Sequence, residues 1–274
     1  MKLDRRAFLL TGAGALTALP GLSVTPGCTL VSEQEEGPYY VDSARVRQDV
    51  TEGRGGVPLR LRIALVNAKT CAPLENAAID IWHCDATGVY SGFTSQGSGG
   101  RGGGRGFPGG PGGPGGPGGR RQIDETRFLR GVQITGGQGV AEFATIYPGW
   151  YQGRTIHVHL KVHLGGKPAQ ETYGGGHVSH TGQLFFPEEI TADVARMNPY
   201  AGNSAVHRTL QSEDGVFQSQ HGSSLILNLE RLEKGSNTAG FMATATLAVD
   251  PEATPAPVGM RGGRGPGRRG PEPL

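Results

Sequence analysis

Residues Thr145–Leu164, TIYPGWYQGRTIHVHLKVHL, decide how the chain is read. From His157 onward, polar and apolar residues alternate, the period of a β-strand with one buried face. Side chains two apart share a face, so His157 and His159 present two imidazoles to one point while Val158 and Leu160 face the other way. Pro148, Gly149 and Gly153 seed a turn just before the strand. Across that turn Tyr151 folds back toward the same point. Lys161 and His163 continue the polar face, but each two-residue step is roughly 6.6 Å, which puts His163 about 13 Å from His159, too far to share a metal. Two imidazoles and a phenol are three legs of a metal site, and Tyr90 is the candidate fourth.

Working outward, Val57–Asn67 alternates Leu59, Leu61, Ile63 and Leu65 against Arg60, Arg62 and Ala64, a strand with one buried face. Ala77–His83 is a second strand, and Asp85-Ala86-Thr87-Gly88 turns the chain to present Tyr90. Strand patterns recur at Arg127–Thr135, Val140–Ile146, Gly182–Phe186, Ser223–Leu232 and Gly240–Val249. Residues 171–182 read as a polar loop with His177 and His180, and 198–222 as loop-rich, with Asp214-Gly215 marking a turn. Pro187-Glu188-Glu189 opens a helix to about Met197, with proline and acids where the helix dipole favours them. The fold class is therefore all-β: a mostly antiparallel β-sandwich with one short helix and long loops.

Of 274 residues, 48 are glycine, and they cluster. Residues 95–121 are glycine, proline and arginine with almost no apolar side chain, which cannot offset the entropy of ordering them. They read as a flexible insertion within the 28–250 domain, and 251–274, ending RGGRGPGRRGPEPL, as a disordered tail. The net charge is only +2, and the arginines concentrate in these stretches, so a folded nucleic-acid surface is not indicated. No segment beyond the N-terminus is apolar for long enough to span a membrane. Residues 1–27 place Arg5-Arg6 before a short apolar run, the pattern of a twin-arginine export signal, with an ordinary secretory signal as the alternative. Export puts the protein in the periplasm or outside the cell and makes RNA an improbable partner for the Arg-Gly tail. Three cysteines, Cys28, Cys71 and Cys84, allow one disulfide and leave one thiol, with the pairing open. Thr25-Pro26-Gly27 poorly fits a lipidation box, which favours a structural Cys28 over a lipid anchor.

Phenolates are hard anionic donors and imidazoles intermediate ones. Two of each carry a charge that suits a trivalent cation, and ferric iron is the abundant candidate. Zinc sites normally use cysteine, histidine and carboxylate. Each residue also has a plainer reading. Tyr90 and Tyr151 could pack as aromatics with backbone-bonded hydroxyls, and His157 and His159 could be an ordinary hydrogen-bonded pair. His83, in line with Ile79 and Ile81, reads as a core-edge histidine. His177, His180, His207 and His221 receive no role.

The blocks EGPYYVD, IDIWHCDATGVYSGF, FLRGVQITGGQGVAEFATIYPGWYQGRTIHVHLKV and HTGQLFFP, in that order, resemble the intradiol ring-cleavage dioxygenases, most of all their exported single-domain bacterial branch. The resemblance runs from about Cys28 to Val249 and breaks at the Gly-rich insertion. It implies that Tyr90, Tyr151, His157 and His159 bind Fe(3+), and that Tyr151 leaves the metal when substrate arrives. It also implies that Arg154 stabilises negative charge on the ring and that Gln183 lies near the substrate. The usual Trp-Arg-Pro-Ala before the first histidine is Gly153-Arg154-Thr155-Ile156 here, in a loop that shapes the substrate pocket. The implied partners are a catechol-like aromatic and O2, and the implied reaction is cleavage between two hydroxylated carbons to a muconate-type diacid. A non-catalytic exported binding module and a zinc or copper enzyme built on the H-x-H pair are the competing readings. A pure binder needs neither the ligand set nor Arg154 and Gln183.

Overall fold

The computed structural model describes residues 28–42, 45–96 and 122–259. The expectations for the export signal at 1–27, for residues 97–121 of the insertion and for the tail at 260–274 lie outside the described residues. The strands are β1 (Pro58–Asn67), β2 (Ala78–Trp82), β3 (Arg130–Ile134), β4 (Val140–Ile146), β5 (His157–Leu164), β6 (Lys167–Ala169), β7 (Thr172–Gly174), β8 (His177–Phe185), β9 (Asn228–Glu233) and β10 (Ser236–Val249).

Alternation in β1 sets the inner face: Leu59, Leu61, Ile63 and Leu65 are buried, Arg60 and Arg62 exposed. One sheet has the order β4-β1-β10-β9 and a second β3-β2-β5-β8, with β6-β7 as a separate hairpin. All pairs are antiparallel except β1 with β10, which run parallel. Ile79, Ile81, Val158, Leu160 and Val162 from the second sheet meet the β1 leucines, Phe143 and Phe241 in one core. The all-β sandwich read from the sequence is the observed architecture.

The outward face of the second sheet is not left to water, and all five residues of β2 are buried. Residues 32–42 of the N-terminal arm lie across it, while 45–47 pair along the β3 edge and 48–50 with β4. The Gln34 amide donates to the Thr181 carbonyl (2.9 Å), Arg47 to Val132 (3.0 Å) and Val132 back to Arg45 (2.8 Å). Tyr39, Tyr40 and Val41 pack there with Trp82, Tyr90 and Phe93. A Cys28–Cys71 disulfide ties the start of the arm to the β1–β2 connection and leaves Cys84 as a buried thiol.

The structure differs from the sequence reading in several local elements. Residues 171–182 are not a loop: β7 occupies Thr172–Gly174, and β8 begins at His177. The alternation that would mark β8 is missing because its outward residues meet the arm. His180 is buried and bonds Glu33 through Nδ1. The expected helix is α1 (Glu188–Val194), shorter than read. Asp214-Gly215 opens a second short helix, α2 (Gly215–Ser219), where Asp214 caps the amides of Val216 and Phe217. The strand expected from Ser223 begins at Asn228, after a 3-10 turn over Gly222–Leu225.

His83 is fully buried, with Nδ1 2.8 Å from the Cys84 carbonyl and Nε2 2.8 Å from the Thr145 hydroxyl. It is a satisfied core histidine, and burial pushes its pKa down to about 4. Burial does the same to His163, also to about 4. Unfolded imidazoles titrate near pH 6.5. A histidine that folding keeps neutral contributes stability that is full above about pH 6.5 and lost as pH falls toward the folded value. Burial also raises the Asp80 carboxyl to about 7, which acts with the opposite sign in this window, so the test is the difference between wild type and His83→Gln. The stability advantage of wild type over His83→Gln in urea should shrink as pH falls from 6.5 to about 4. An advantage that does not change with pH would contradict the assignment.

Candidate metal centre

β5 places His157 and His159 side by side on the outward face of the second sheet, under the arm. Their Nε2 atoms are 3.0 Å apart. His157 Nδ1 lies 2.6 Å from the Thr155 carbonyl. A carbonyl only accepts, so Nδ1 carries the proton and Nε2 keeps its lone pair, the arrangement seen in metal-binding imidazoles. The Tyr151 hydroxyl is 3.3 Å from the same Nε2. Tyr90 meets Tyr151 edge to face at 5.7 Å between ring centres. Its hydroxyl is buried and has no hydrogen-bond partner.

The surroundings fix these rings. Trp82 stacks on His159 at 4.9 Å and 2°, and Tyr39 stacks on Tyr90 at 4.4 Å and 14°. On the far side of His159 the arm passes at Gly37, where an added Cβ would sit 2.9 Å from Cε1 and the backbone has φ +74°. Both facts demand glycine at that position. Sequence reading placed Tyr90, Tyr151, His157 and His159 together, and the structure brings these four together.

Burial, helped by the Arg154 charge, depresses His157 to about 3, and burial also holds His159 well below its usual range. Burial raises both phenols, Tyr90 and Tyr151. Without a cation the pocket therefore holds neutral imidazoles and neutral phenols. Two nitrogens about 3 Å apart match two adjacent ligands, each about 2.1 Å from a shared ion. The orphaned Tyr90 hydroxyl is the kind of buried group that a bound ion would satisfy. Among the described residues no group of three or more His, Cys, Asp or Glu is arranged to hold a metal. The side-chain donors that join the two imidazoles here are the two tyrosines, and a set of two phenols and two imidazoles fits ferric iron.

Arg154 lies beside this cluster on the loop before β5. Its Nε donates to both oxygens of Asp214 (3.1 and 3.0 Å), its Nη2 to the Gln183 side-chain oxygen, and its Nη1 is 3.5 Å from Glu35. Asp214 also accepts the Thr155 amide (2.9 Å) while capping α2. Gln183 sits on β8 opposite His159 and donates to the Glu35 carbonyl (2.9 Å). Arg154 and Gln183, both named from the resemblance, are brought into contact here. Asp214 and Glu35 were missed, although an aspartate before a short helix is an N-cap signal. Burial raises the Glu35 carboxyl against the opposing charge of Arg154.

Breaking a buried ion pair from one side typically costs about 3–5 kcal/mol, because the other charge stays behind. Asp214→Ala should lose about that much stability in urea unfolding. The double variant with Arg154→Ala should lose less than the sum of the two single changes, because both remove the same contact. Strict additivity would mean that the pair is not energetically coupled.

No protein-family model and no curated protein matches the chain. Solved structures do. The intradiol ring-cleavage dioxygenase from Tetranychus urticae is 30% identical, with a TM-score of 0.68, covering 84% of this chain and 98% of that one. A second solved dioxygenase is 29% identical, with a TM-score of 0.67, covering 83% and 98%. The dioxygenase domain of a carbohydrate-binding fusion from Streptomyces sp. SirexAA-E shares the fold at 22% identity, with a TM-score of 0.50, covering 81% and 99%. With a 30% identical relative matched over 98% of its length, the chain belongs to the intradiol ring-cleavage dioxygenases and is an enzyme of that class.

Proposed function

We propose that this enzyme is a non-haem iron(III) dioxygenase that opens a catechol-type ring between its two hydroxylated carbons. Both atoms of O2 enter the product, a muconate-type diacid. The observation that carries the reading is the convergence of the His157 and His159 Nε2 atoms, 3.0 Å apart, with the Tyr151 hydroxyl and the partnerless Tyr90 hydroxyl. Tyr90, Tyr151, His157 and His159 would hold the iron. Ferric iron, when bound, supplies the Lewis acidity that lets a catechol give up its hydroxyl protons near neutral pH.

The chain's own residues do the rest. Tyr151 Oη takes a proton as the ring enters, favoured by the burial that raises its pKa. Arg154, held in one orientation by Asp214 and Gln183, keeps a positive charge beside the ring as negative charge develops there. Tyr39, Tyr40 and the rest of the arm, packed on Trp82 of β2, exclude water. A zinc or copper enzyme would draw on His, Cys or carboxylate donors, and no group of three is arranged for it among the described residues. We also propose export through the Arg5-Arg6 leader. The Cys28–Cys71 disulfide supports an oxidising compartment and a structural Cys28.

The purified protein should be red from phenolate-to-iron charge transfer, and anaerobic catechol should shift that band. Because both phenols are protonated without metal, iron uptake should release about two protons, read with a pH indicator. Arg154→Lys keeps the charge but loses the planar fork. It should retain the colour and lose at least about 100-fold in turnover, the scale of removing one preorganised charge-stabilising donor. A colourless protein that binds zinc or copper and refuses iron would end this reading. So would a red protein that consumes no oxygen with any catechol.

A further inference from the structure

Two carboxylates, Asp214 and Glu35, face the single guanidinium of Arg154. Asp214 already takes Arg154 Nε with both oxygens and is fully buried. Glu35 adds a second carboxylate at 3.5 Å, only 4% exposed, and its Oε2 has no hydrogen-bond partner. The neighbouring buried cations are committed elsewhere, Lys161 to Glu36 and Arg130 to Ser91. A half-satisfied surplus charge next to an already paired arginine costs stability. Glu35 is nevertheless held firmly. Its amide accepts no freedom: it donates to the Gln220 side chain (2.8 Å), and its carbonyl takes Gln183 Nε2 (2.9 Å). Glu35 thus touches both Arg154, the group beside the ring in the proposed function, and Gln183, which orients it.

We infer that Glu35 is a specificity-determining residue: its carboxylate, acting with Asp214, leaves Arg154 no spare charge for an anionic ring substituent, so the site selects uncharged catechols over catechols bearing a carboxylate. This rests on the ring-cleavage reading above. The physical basis is like-charge exclusion, in which a wrongly placed charge is penalised more than the right partner is favoured.

The test uses the full-length, iron-loaded enzyme at pH 8. Oxygen uptake gives kcat and KM for catechol, 3,4-dihydroxybenzoate and its methyl ester, which has similar bulk and no charge. Wild type should prefer the ester over the acid by at least about tenfold, mostly through KM. The isosteric Glu35→Gln should narrow that preference about tenfold or more, whereas Glu35→Asp, which keeps the charge, should preserve it. Equal use of acid and ester by wild type, or an unchanged ratio in Glu35→Gln, overturns the inference while leaving ring cleavage intact. Failure of the red wild type to cleave any of the three overturns the ring-cleavage reading itself. Should Glu35→Gln not fold, anaerobic titration of the wild-type charge-transfer band decides: equal affinity for acid and ester refutes the role of Glu35.

Discussion

The candidate centre depends on the N-terminal arm lying across the outward face of the second sheet. That face carries His157, His159, Lys161 and Asp80, groups that would otherwise sit in water with ordinary protonation. Covering them with Tyr39, Tyr40 and Val41 makes the pocket dry. Dryness keeps the imidazoles neutral and the phenols protonated. The same cover brings Glu35 to Arg154 and Gly37 onto the His159 ring. A sandwich with bare strands on that side would keep its core and lose its chemistry.

The cover is expensive to maintain, and the structure shows how it is held. Backbone pairing to Val132 and Thr181 supplies the ladder, and the Cys28–Cys71 link fixes the starting point. Asp80 shows the cost. Burial lifts its carboxyl to about 7, against the Tyr40 hydroxyl bond and the charges of Lys161 and Arg130, which act to lower it. The face therefore combines a dry pocket of imidazoles and phenols with buried charges that a sandwich chosen for stability alone would avoid.

Much of this was legible in the sequence because it is local. A period of two in β5 predicts that His157 and His159 converge, and the turn residues before them predict the return of Tyr151. The core strand β1 alternates cleanly because one of its faces meets water. β8 did not read as a full strand because both its faces are covered, so polar His180 and Ser179 sit where solvent-facing residues would not be buried. Asp214 and Glu35 lie 60 and 119 positions from Arg154 along the chain. Nothing local to either residue signals a partner that far away. Asp214 looked like a turn residue, and it is one, since the Oδ1 that caps α2 also takes Arg154.

The parallel pairing of β1 with β10 governs the order in which the molecule can be assembled. The first strand of the sandwich finds one of its two neighbours only in β10, the last strand among the described residues. Likewise the arm, made before either sheet, waits for Thr181, Gln183 and Gln220 before its hydrogen bonds exist. Contacts so distant in sequence form late, because the intervening chain must be closed first. During synthesis the arm over the two histidines and two tyrosines therefore lacks its full set of hydrogen-bond partners until Gln220 has been made.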